Sequence, residues 1–178
     1  MSERAIRPRR GQRLAAGMAA TALMSLGLLV APATAAEAAV TSGPIISRHS
    51  GQCVDVSQGS TSDGAPVVQW PCHRGTNQVW NYWPGGAPDV WKVVNLRSNK
   101  CLSVAGGSTA NGARIIQGPC STGQDRVWVW RNLGNGYYEV KNRLSGKCLD
   151  LPAGSGSAGV QLIQWTCDGG TNQQWSSG

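Results

Sequence analysis

Histidine is scarce in this sequence, and the catalytic sets that depend on it are missing. The two histidines, His49 and His73, lie in no metal-binding motif. All six cysteines belong to one regular pattern, so none is left over as a nucleophile. The two most conspicuous aspartates, Asp55 and Asp150, fall in different segments and are predicted to lie too far apart to act on one bond as a pair. The sequence therefore predicts a protein that is not an enzyme and has no metal or other cofactor.

Helical periodicity and a basic stripe are also missing beyond the N-terminal region. No segment there repeats its apolar residues at the helical period, which favours an all-β fold. The formal net charge of +7 comes from 16 basic and 9 acidic residues, but five arginines and one glutamate lie in residues 1–35. The remainder holds 11 basic and 8 acidic residues, a net charge of +3. The high isoelectric point is therefore no indication of nucleic acid binding.

The N-terminal region has the pattern of a secretory signal peptide, predicted over residues 1–35. An arginine-rich start is followed by an apolar run from Leu14 to about Ala33 and by small residues that offer cleavage after Ala35 or Ala38. An uncleaved membrane anchor is the alternative, because the run is nearly long enough to span a bilayer. Its alanine and glycine content favours the signal peptide. We expect a secreted protein with no membrane attachment after cleavage, and a short lead-in over residues 36–42.

A stretch of the chain that ends in tryptophan occurs three times, and its recurrence organises the sequence. It runs over residues 53–80, 101–128 and 148–175, and its first cysteines are 48 and 47 residues apart. A fixed period of this size indicates a repeat architecture. Turn and linker signals divide the chain into repeats at residues 43–88, 89–136 and 137–178.

Two cysteines stand in each repeat, always 19 positions apart. In an exported chain six cysteines indicate three disulfides, for which 15 pairings are possible. The repeat selects the pairing that is local each time, and the separation does not fit zinc-finger spacing. The predicted disulfides are Cys53–Cys72, Cys101–Cys120 and Cys148–Cys167.

Each repeat is interpreted as four short strands, about 12 in all. In the second strand, CVDV in the first repeat, Val54 and Val56 are expected on one face, and Cys53 and Asp55 on the other. A propeller needs at least four blades and a solenoid needs capped ends, so a closed threefold barrel without free edges fits better. The tryptophans that end the repeats are predicted to meet in the core near the pseudo-threefold axis: Trp80, Trp128 and Trp175.

The combination of C-[VL]-D-[VL], the cysteine step and a closing Q-x-W resembles the ricin B-type β-trefoil lectins and the family 13 carbohydrate-binding modules. The first and third repeats carry every part of it, and the match covers about residues 43–178. The resemblance implies a β-trefoil with three lobes, which we call α, β and γ in chain order. Each lobe of such a fold has a possible sugar pocket.

A sugar binder needs an aromatic plate for the C–H face of the ring and planar polar groups for its hydroxyls. By resemblance, Asp55 is the hydroxyl acceptor of lobe α, Trp70 the stacking plate and Asn77 the amide partner. Gln78 either binds sugar or braces the strand, and His73 is either a ligand at the rim or solvated surface. Lobe γ repeats the set as Asp150, Trp165, Asn172 and Gln173.

Lobe β has lost these residue types. The four equivalent positions hold Ser103, Gly118, Asp125 and Arg126, although the cysteines and Trp128 remain. We therefore predict that lobes α and γ bind sugar and that lobe β does not.

One departure from the family pattern leaves the sugar open. Many members have a glutamine ligand four residues before the second cysteine, where this chain has Val68, Ile116 and Ile163. Glutamine stands three residues before that cysteine in every repeat, including the altered one, which favours a structural role for Gln69, Gln117 and Gln164.

The leading hypothesis is a secreted, monomeric, non-catalytic lectin that binds galactose- or xylose-type sugars, or their polysaccharides. The first alternative is a protein-binding β-trefoil, such as a protease inhibitor, whose contacts would come from loops. A glycoside hydrolase accessory or remnant is the second alternative.

Overall fold

The computed structural model describes residues 42–178. The predicted signal peptide and nearly all of the predicted lead-in lie outside these residues. The described part forms one 13-stranded antiparallel sheet with short 3₁₀ turns and no α-helix. Within it there is accordingly no helix of the length and apolarity needed to cross a membrane.

Lobe α contains one strand more than expected. Its strands are β1 (Ser42–Gly43), β2 (Ile45–Ser47), β3 (Cys53–Val56), β4 (Val67–Trp70) and β5 (Trp80–Pro84). Pro44 separates β1 from β2, because proline has no N–H to donate to a sheet ladder. The predicted first strand is thus present in two pieces, and 12 strands become 13.

Lobe β follows the prediction of four strands. They are β6 (Val90–Asn95), β7 (Cys101–Val104), β8 (Ile115–Gly118) and β9 (Val127–Gly134). A short 3₁₀ turn precedes β9, as one precedes the last strand of each lobe.

Lobe γ has the same order of strands. They are β10 (Tyr137–Asn142), β11 (Cys148–Asp150), β12 (Ile163–Trp165) and β13 (Gln174–Ser177). Three lobes with one strand order confirm the all-β, pseudo-threefold architecture.

The outer strands of the three lobes close into a barrel. Pairing runs from β5 through β6, β9, β10 and β13 to β2, and β1 returns to β5. The remaining strands form three hairpins, β3–β4, β7–β8 and β11–β12, which are joined to one another by isolated bridges. This barrel with a triplet of hairpins is the β-trefoil that the sequence predicts, and its closure leaves no barrel strand unpaired.

The core contains the three repeat tryptophans, as predicted. Trp80, Trp128 and Trp175 are each 0% exposed and belong to one hydrophobic cluster. Each indole Nε1–H donates to a backbone carbonyl of the second strand of its lobe, at 3.0, 2.9 and 3.1 Å. Because each indole N–H has a hydrogen-bond acceptor, the tryptophan can be fully buried in all three lobes without an unsatisfied polar atom.

The second strand of each lobe is buried on both faces. Val54 and Val56 are 0% exposed, as expected, but Cys53 and Asp55 on the opposite face are also buried. Alternating residue types therefore do not correspond here to an inner and a solvated face. The second face is covered by the disulfide and the 3₁₀ turn, which enclose the carboxylate within a polar site.

The three glutamines outside the predicted sites join neighbouring lobes. Gln69, Gln117 and Gln164 are each 0% exposed, and each donates its amide to two backbone carbonyls of another lobe. Each also accepts a hydrogen bond at 2.7 Å from the serine of its own first turn. Buried amides with every bond satisfied confirm the predicted structural role.

The predicted disulfide pairing is present. Cys53–Cys72, Cys101–Cys120 and Cys148–Cys167 are bonded, and no free cysteine remains in residues 42–178. Each bond closes the hairpin of its lobe, and constraint of the unfolded chain is worth roughly 3 kcal/mol per bond of this loop size.

Candidate functional site

Lobe α contains an open cavity of about 520 Å³ beside the hairpin β3–β4. Three residues of the predicted set, Asp55, Trp70 and Asn77, line it together with His73. They converge because β3 and β4 are paired and the 3₁₀ turn Thr76–Gln78 folds back beneath them. The structure thus brings residues 15 and 22 positions apart in sequence into one notch.

Asp55 forms the floor of this cavity and is 3% exposed. Its Oδ2 accepts hydrogen bonds from Asn77 Nδ2 at 2.9 Å and Gln78 Nε2 at 2.8 Å. His73 Nε2 lies 3.4 Å from the same oxygen. Among the described residues no donor contacts Oδ1, so one carboxylate oxygen is free to accept from a ligand hydroxyl.

Gln78 lies behind the carboxylate rather than in the cavity. It is 1% exposed, donates also to the backbone oxygen of Pro71 at 3.1 Å, and accepts from the His73 backbone N–H at 2.8 Å. Both ends of the amide are engaged, so Gln78 orients Asp55. Its contribution to sugar binding stays a prediction, and it would act through the aspartate.

Trp70 stands at the edge of the cavity with 45% of its surface exposed. A tryptophan this exposed contributes little to the core and offers a flat apolar surface to a ligand. Its ring is backed by lobe γ, because a Cβ added to Gly159 would lie 3.5 Å from Trp70 Cζ3. The plate therefore belongs to one lobe and its support to another.

Lobe γ repeats this geometry in an open cavity of about 610 Å³. Asp150 is 3% exposed, and its Oδ2 accepts from Asn172 Nδ2 at 3.0 Å and Gln173 Nε2 at 2.7 Å. Trp165 is 43% exposed and is backed by lobe β, where a Cβ added to Gly112 would lie 3.7 Å from its ring. The Pro152–Gly154 turn of lobe γ differs in sequence from the equivalent turn of lobe α. It lines the rim of the cavity without filling the notch.

Burial changes the titration of both carboxylates. Desolvation raises the pKa of Asp55 above its ordinary value, while hydrogen bonds from Gln78 and Asn77 and the nearby His73 oppose the rise. Desolvation raises the pKa of Asp150 to about 6, where the bond from Gln173 opposes it and the charge of Asp168 adds to it. Asp168, a carboxylate, stands where lobe α has the imidazole of His73, so the neighbouring side chain raises the aspartate pKa in lobe γ and lowers it in lobe α.

Lobe β keeps the skeleton without the chemistry. Ser103 is buried and donates its hydroxyl to the Cys101 backbone oxygen at 3.0 Å, so it does not point at a ligand. Gly118 leaves no aromatic plate on β8. Arg126 and Asp125 replace the two amides of lobe α, and their side chains lie 3.4 Å apart as an ion pair. Arg126 also donates a hydrogen bond to Ser121, so both side chains are engaged within the protein.

Two charged cavity residues were not singled out from the sequence. Arg97, at the first turn of lobe β, lines the lobe α cavity, and Asp168 lines that of lobe γ. Asp168 follows the second cysteine of its repeat, as His73 does, so alignment of the repeats could have identified Asp168 as a rim residue. Arg97 comes from a neighbouring lobe, and only the folded chain brings it to the cavity that Asp55 lines.

A sequence family and solved structures match the described chain. The model of the ricin-type β-trefoil lectin domain matches residues 41–175. A designed threefold-symmetric protein, ThreeFoil, is 41% identical, with a TM-score of 0.74 over 76% of this chain and 96% of that one. An exo-β-1,3-galactanase from Clostridium thermocellum is 31% identical, also with a TM-score of 0.74, over 77% of this chain and 30% of the enzyme.

A Macrolepiota procera ricin B-like lectin, solved with lactose, shares the fold at 21% identity and a TM-score of 0.63. The structural match covers 76% of this chain and 93% of that lectin. The family match over most of the chain, the closed barrel with three hairpins, and the repeated tryptophans and disulfides all agree. The chain belongs to the ricin-type β-trefoil lectin domain family.

Proposed function

We propose that this protein is a secreted, non-catalytic lectin that binds galactose- or xylose-type sugar units through lobes α and γ. The observation that carries the proposal is the duplicated notch, in which a buried aspartate with one free oxygen and an exposed tryptophan line the same cavity. Membership of a lectin domain family and similarity to part of a galactanase support a carbohydrate ligand.

The chemistry of each notch suits one sugar unit. The carboxylate accepts from a hydroxyl, and charge-assisted bonds of this kind are about twice as strong as neutral ones. The tryptophan covers the C–H face, and the asparagine amide holds the carboxylate. A shallow open site of this type is expected to bind with a dissociation constant of about 1 mM, or about −4 kcal/mol.

Two such sites on one rigid monomer favour a repetitive ligand. When one site has bound a polymer, the second meets it at a raised effective concentration, and avidity exceeds either single affinity. We therefore expect stronger retention by a polysaccharide than by its monosaccharide. A plant or microbial polysaccharide is a fitting target.

The test compares the protein with an Asp55→Ala/Asp150→Ala variant on galactan and xylan columns. We expect retention by at least one column to be lost in the double variant and unchanged in Ser103→Ala, the matched control in lobe β. Thermal unfolding of each variant shows whether the fold is intact. Equal retention of the double variant would instead favour binding through loops, as in a protease inhibitor.

Catalysis is tested with the same polymers. Among residues 42–178, Asp55 is the one acid that lines the lobe α cavity, whereas Asp150 and Asp168 both line the lobe γ cavity. The pair in lobe γ is therefore the pair of acids that an activity assay has to test. We expect no release of reducing sugar from galactan or xylan. Release that disappears in the double variant would overturn the non-catalytic part of the proposal.

A further inference from the structure

The two notches share one frame but differ in the charges around it. The lobe α cavity is lined by one carboxylate, Asp55, and by the guanidinium of Arg97 and the imidazole of His73. The lobe γ cavity is lined by two carboxylates, Asp150 and Asp168, and by no basic side chain of the described residues. A ligand therefore meets a different charge in each lobe, although the plate and the floor are equivalent.

Arg97 is held at the lobe α cavity and has no competing ion pair. Its backbone N–H donates to Asn95 Oδ1 at 3.1 Å, and its Nε lies 3.4 Å from the position of a Cβ added to Gly59. The guanidinium thus lies against the 3₁₀ turn that forms the cavity rim. Within residues 42–178 it contacts no acidic group, so its fork of donors is available to a ligand.

The equivalent position beside lobe γ holds a different residue. His49 lies against Gly154 as Arg97 lies against Gly59, with a Cβ added to Gly154 at 3.6 Å from the imidazole. Its Nδ1 is 3.2 Å from Thr171 Oγ1, so the ring is engaged beside the cavity instead of lining it. Lobe γ therefore has no counterpart of the free guanidinium.

The residue after the second cysteine also makes the lobe γ site more negative than the lobe α site. His73 and Asp168 occupy one niche: each backbone N–H donates to the bracing glutamine, and each side chain accepts from the glycine two residues on. Because His73 Nδ1 accepts that bond, its Nε2 carries the hydrogen and faces Asp55. In lobe γ the niche instead adds a negative charge beside Asp150.

We propose that the lobe α notch selects a sugar unit bearing an anionic group, a carboxylate or a sulfate, whereas the lobe γ notch selects a neutral unit. Arg97 is the specificity-determining residue of the first site, where it pairs with the anionic group. Asp168 is the specificity-determining residue of the lobe γ site, where its carboxylate repels an anionic group. This inference rests on the proposed function, and it makes the protein a reader of mixed polymers in which acidic and neutral units occur together.

The experiment isolates one site at a time in the full protein. Asp150→Ala leaves only lobe α and Asp55→Ala leaves only lobe γ. Each is titrated by calorimetry and tryptophan fluorescence with galactose, galacturonate, galacturonate methyl ester and galactose 6-sulfate at low salt. A second set, xylose and glucuronate, covers the other sugar class.

For the lobe α variant we expect galacturonate or the sulfate to bind about five- to tenfold more tightly than the neutral sugar. The methyl ester should bind like the neutral sugar, because it keeps the shape and loses the charge. Comparison of galacturonate with the sulfate tells which anion is preferred. Adding Arg97→Leu, which copies Leu144 of the third repeat, should remove the preference, so that the affinities for the anionic and the neutral sugar become equal.

For the lobe γ variant we expect the order to be reversed, with the anionic sugars bound at least fivefold more weakly than the neutral one. Adding Asp168→His, which copies His73, should relieve this discrimination. Equal affinities for anionic and neutral sugars in both single-site variants would overturn the inference and leave the proposed function standing. Failure of both variants to bind any sugar would overturn the two together.

Discussion

Lobe α and lobe β are built on equivalent strands, a disulfide and a buried tryptophan, yet lobe β has Ser103 where lobe α has an aspartate at the floor of its notch. Trp80 and Trp128 are equally buried and donate to equivalent carbonyls. Asp55 and Ser103 are also equally buried, but the carboxylate has an oxygen free while the serine bonds its own strand. The difference teaches that the frame of a lobe is independent of its pocket.

The reason is that the frame contacts other lobes and the pocket contacts solvent. Gln117 of lobe β joins the Ser60 and Ser62 carbonyls of lobe α, and Gly112 of lobe β backs the plate of lobe γ. A lobe that lacks the predicted notch residues therefore still supports its neighbours. Loss of the whole lobe would open the barrel, whereas replacement of the four notch side chains leaves it closed.

The largest expected effect tests whether lobe β is still needed for the frame. Gln117→Ala leaves two backbone carbonyls and the Ser98 hydroxyl without their partner in a buried site. We expect the free energy of unfolding to fall by about 1–3 kcal/mol, measured by urea denaturation.

Gln124→Ala is the matched control, since Gln124 is an exposed glutamine of the same lobe, and it should change stability by less than about 0.5 kcal/mol. Indistinguishable stabilities for the two variants would mean that the interlobe glutamine bonds contribute nothing.

The second effect separates lobe γ from lobe α by pH. The folded pKa of Asp150, about 6, lies above its ordinary 3.8, so the native state binds more protons than the unfolded state between these values. The free energy of unfolding contributed by this group therefore decreases as pH rises through that window. Asp150→Asn should raise stability by about 1–2 kcal/mol at neutral pH, discounted because the carboxylate faces an open cavity, and by less near pH 4.5.

Sugar binding should respond in the opposite sense. As pH falls through about 6, Asp150 becomes protonated and accepts hydroxyl hydrogens less well, so the variant with only lobe γ loses affinity. The variant with only lobe α should keep its affinity to lower pH, because the bonds from Gln78, Asn77 and His73 limit the rise in the pKa of Asp55. Coincident pH profiles for the two variants would contradict this electrostatic difference.

The smallest effect concerns the support of a tryptophan plate by the next lobe. Gly112 and Gly64 are equivalent turn glycines with φ of +79° and +78°, so alanine strains each backbone by a similar amount, about 1 kcal/mol. A Cβ at Gly112 contacts Trp165, whereas one at Gly64 meets nothing within 4 Å.

We therefore expect both variants to lose similar stability, and only Gly112→Ala to change lobe γ affinity, by about two- to threefold. Calorimetry in the Asp55→Ala background measures this change. An equal change of affinity in Gly64→Ala would show that turn strain, not the plate contact, is responsible.

Much of this molecule was predictable because it is repeated. Three copies aligned by their cysteines predict the disulfides, the core tryptophans and the structural glutamines, since a residue kept in the lobe that lacks the predicted ligand residues is expected to serve the frame. The same comparison predicts which residues form the notches. The extra strand break at Pro44 was foreseeable from the missing N–H, but the number of strands expected from the repeat alone did not include it.

Single-strand alternation was less informative. It separates Val54 from Asp55 correctly, but it does not reveal that both faces of the strand are covered. The burial of Asp55 comes from a 3₁₀ turn more than 20 residues away, which supplies the two amides that bind it.

The chain by itself determined the lobes, their covalent links and the side chains available to each notch, because these follow from local pattern and from comparison of one copy with another. Only the tertiary structure decided which lobe lends a group to which notch. Arg97, Gly112 and Gly159 all act on a lobe other than their own. The physical reason is that barrel closure places the turns of one repeat against the hairpin of another, and no spacing within a repeat records that contact.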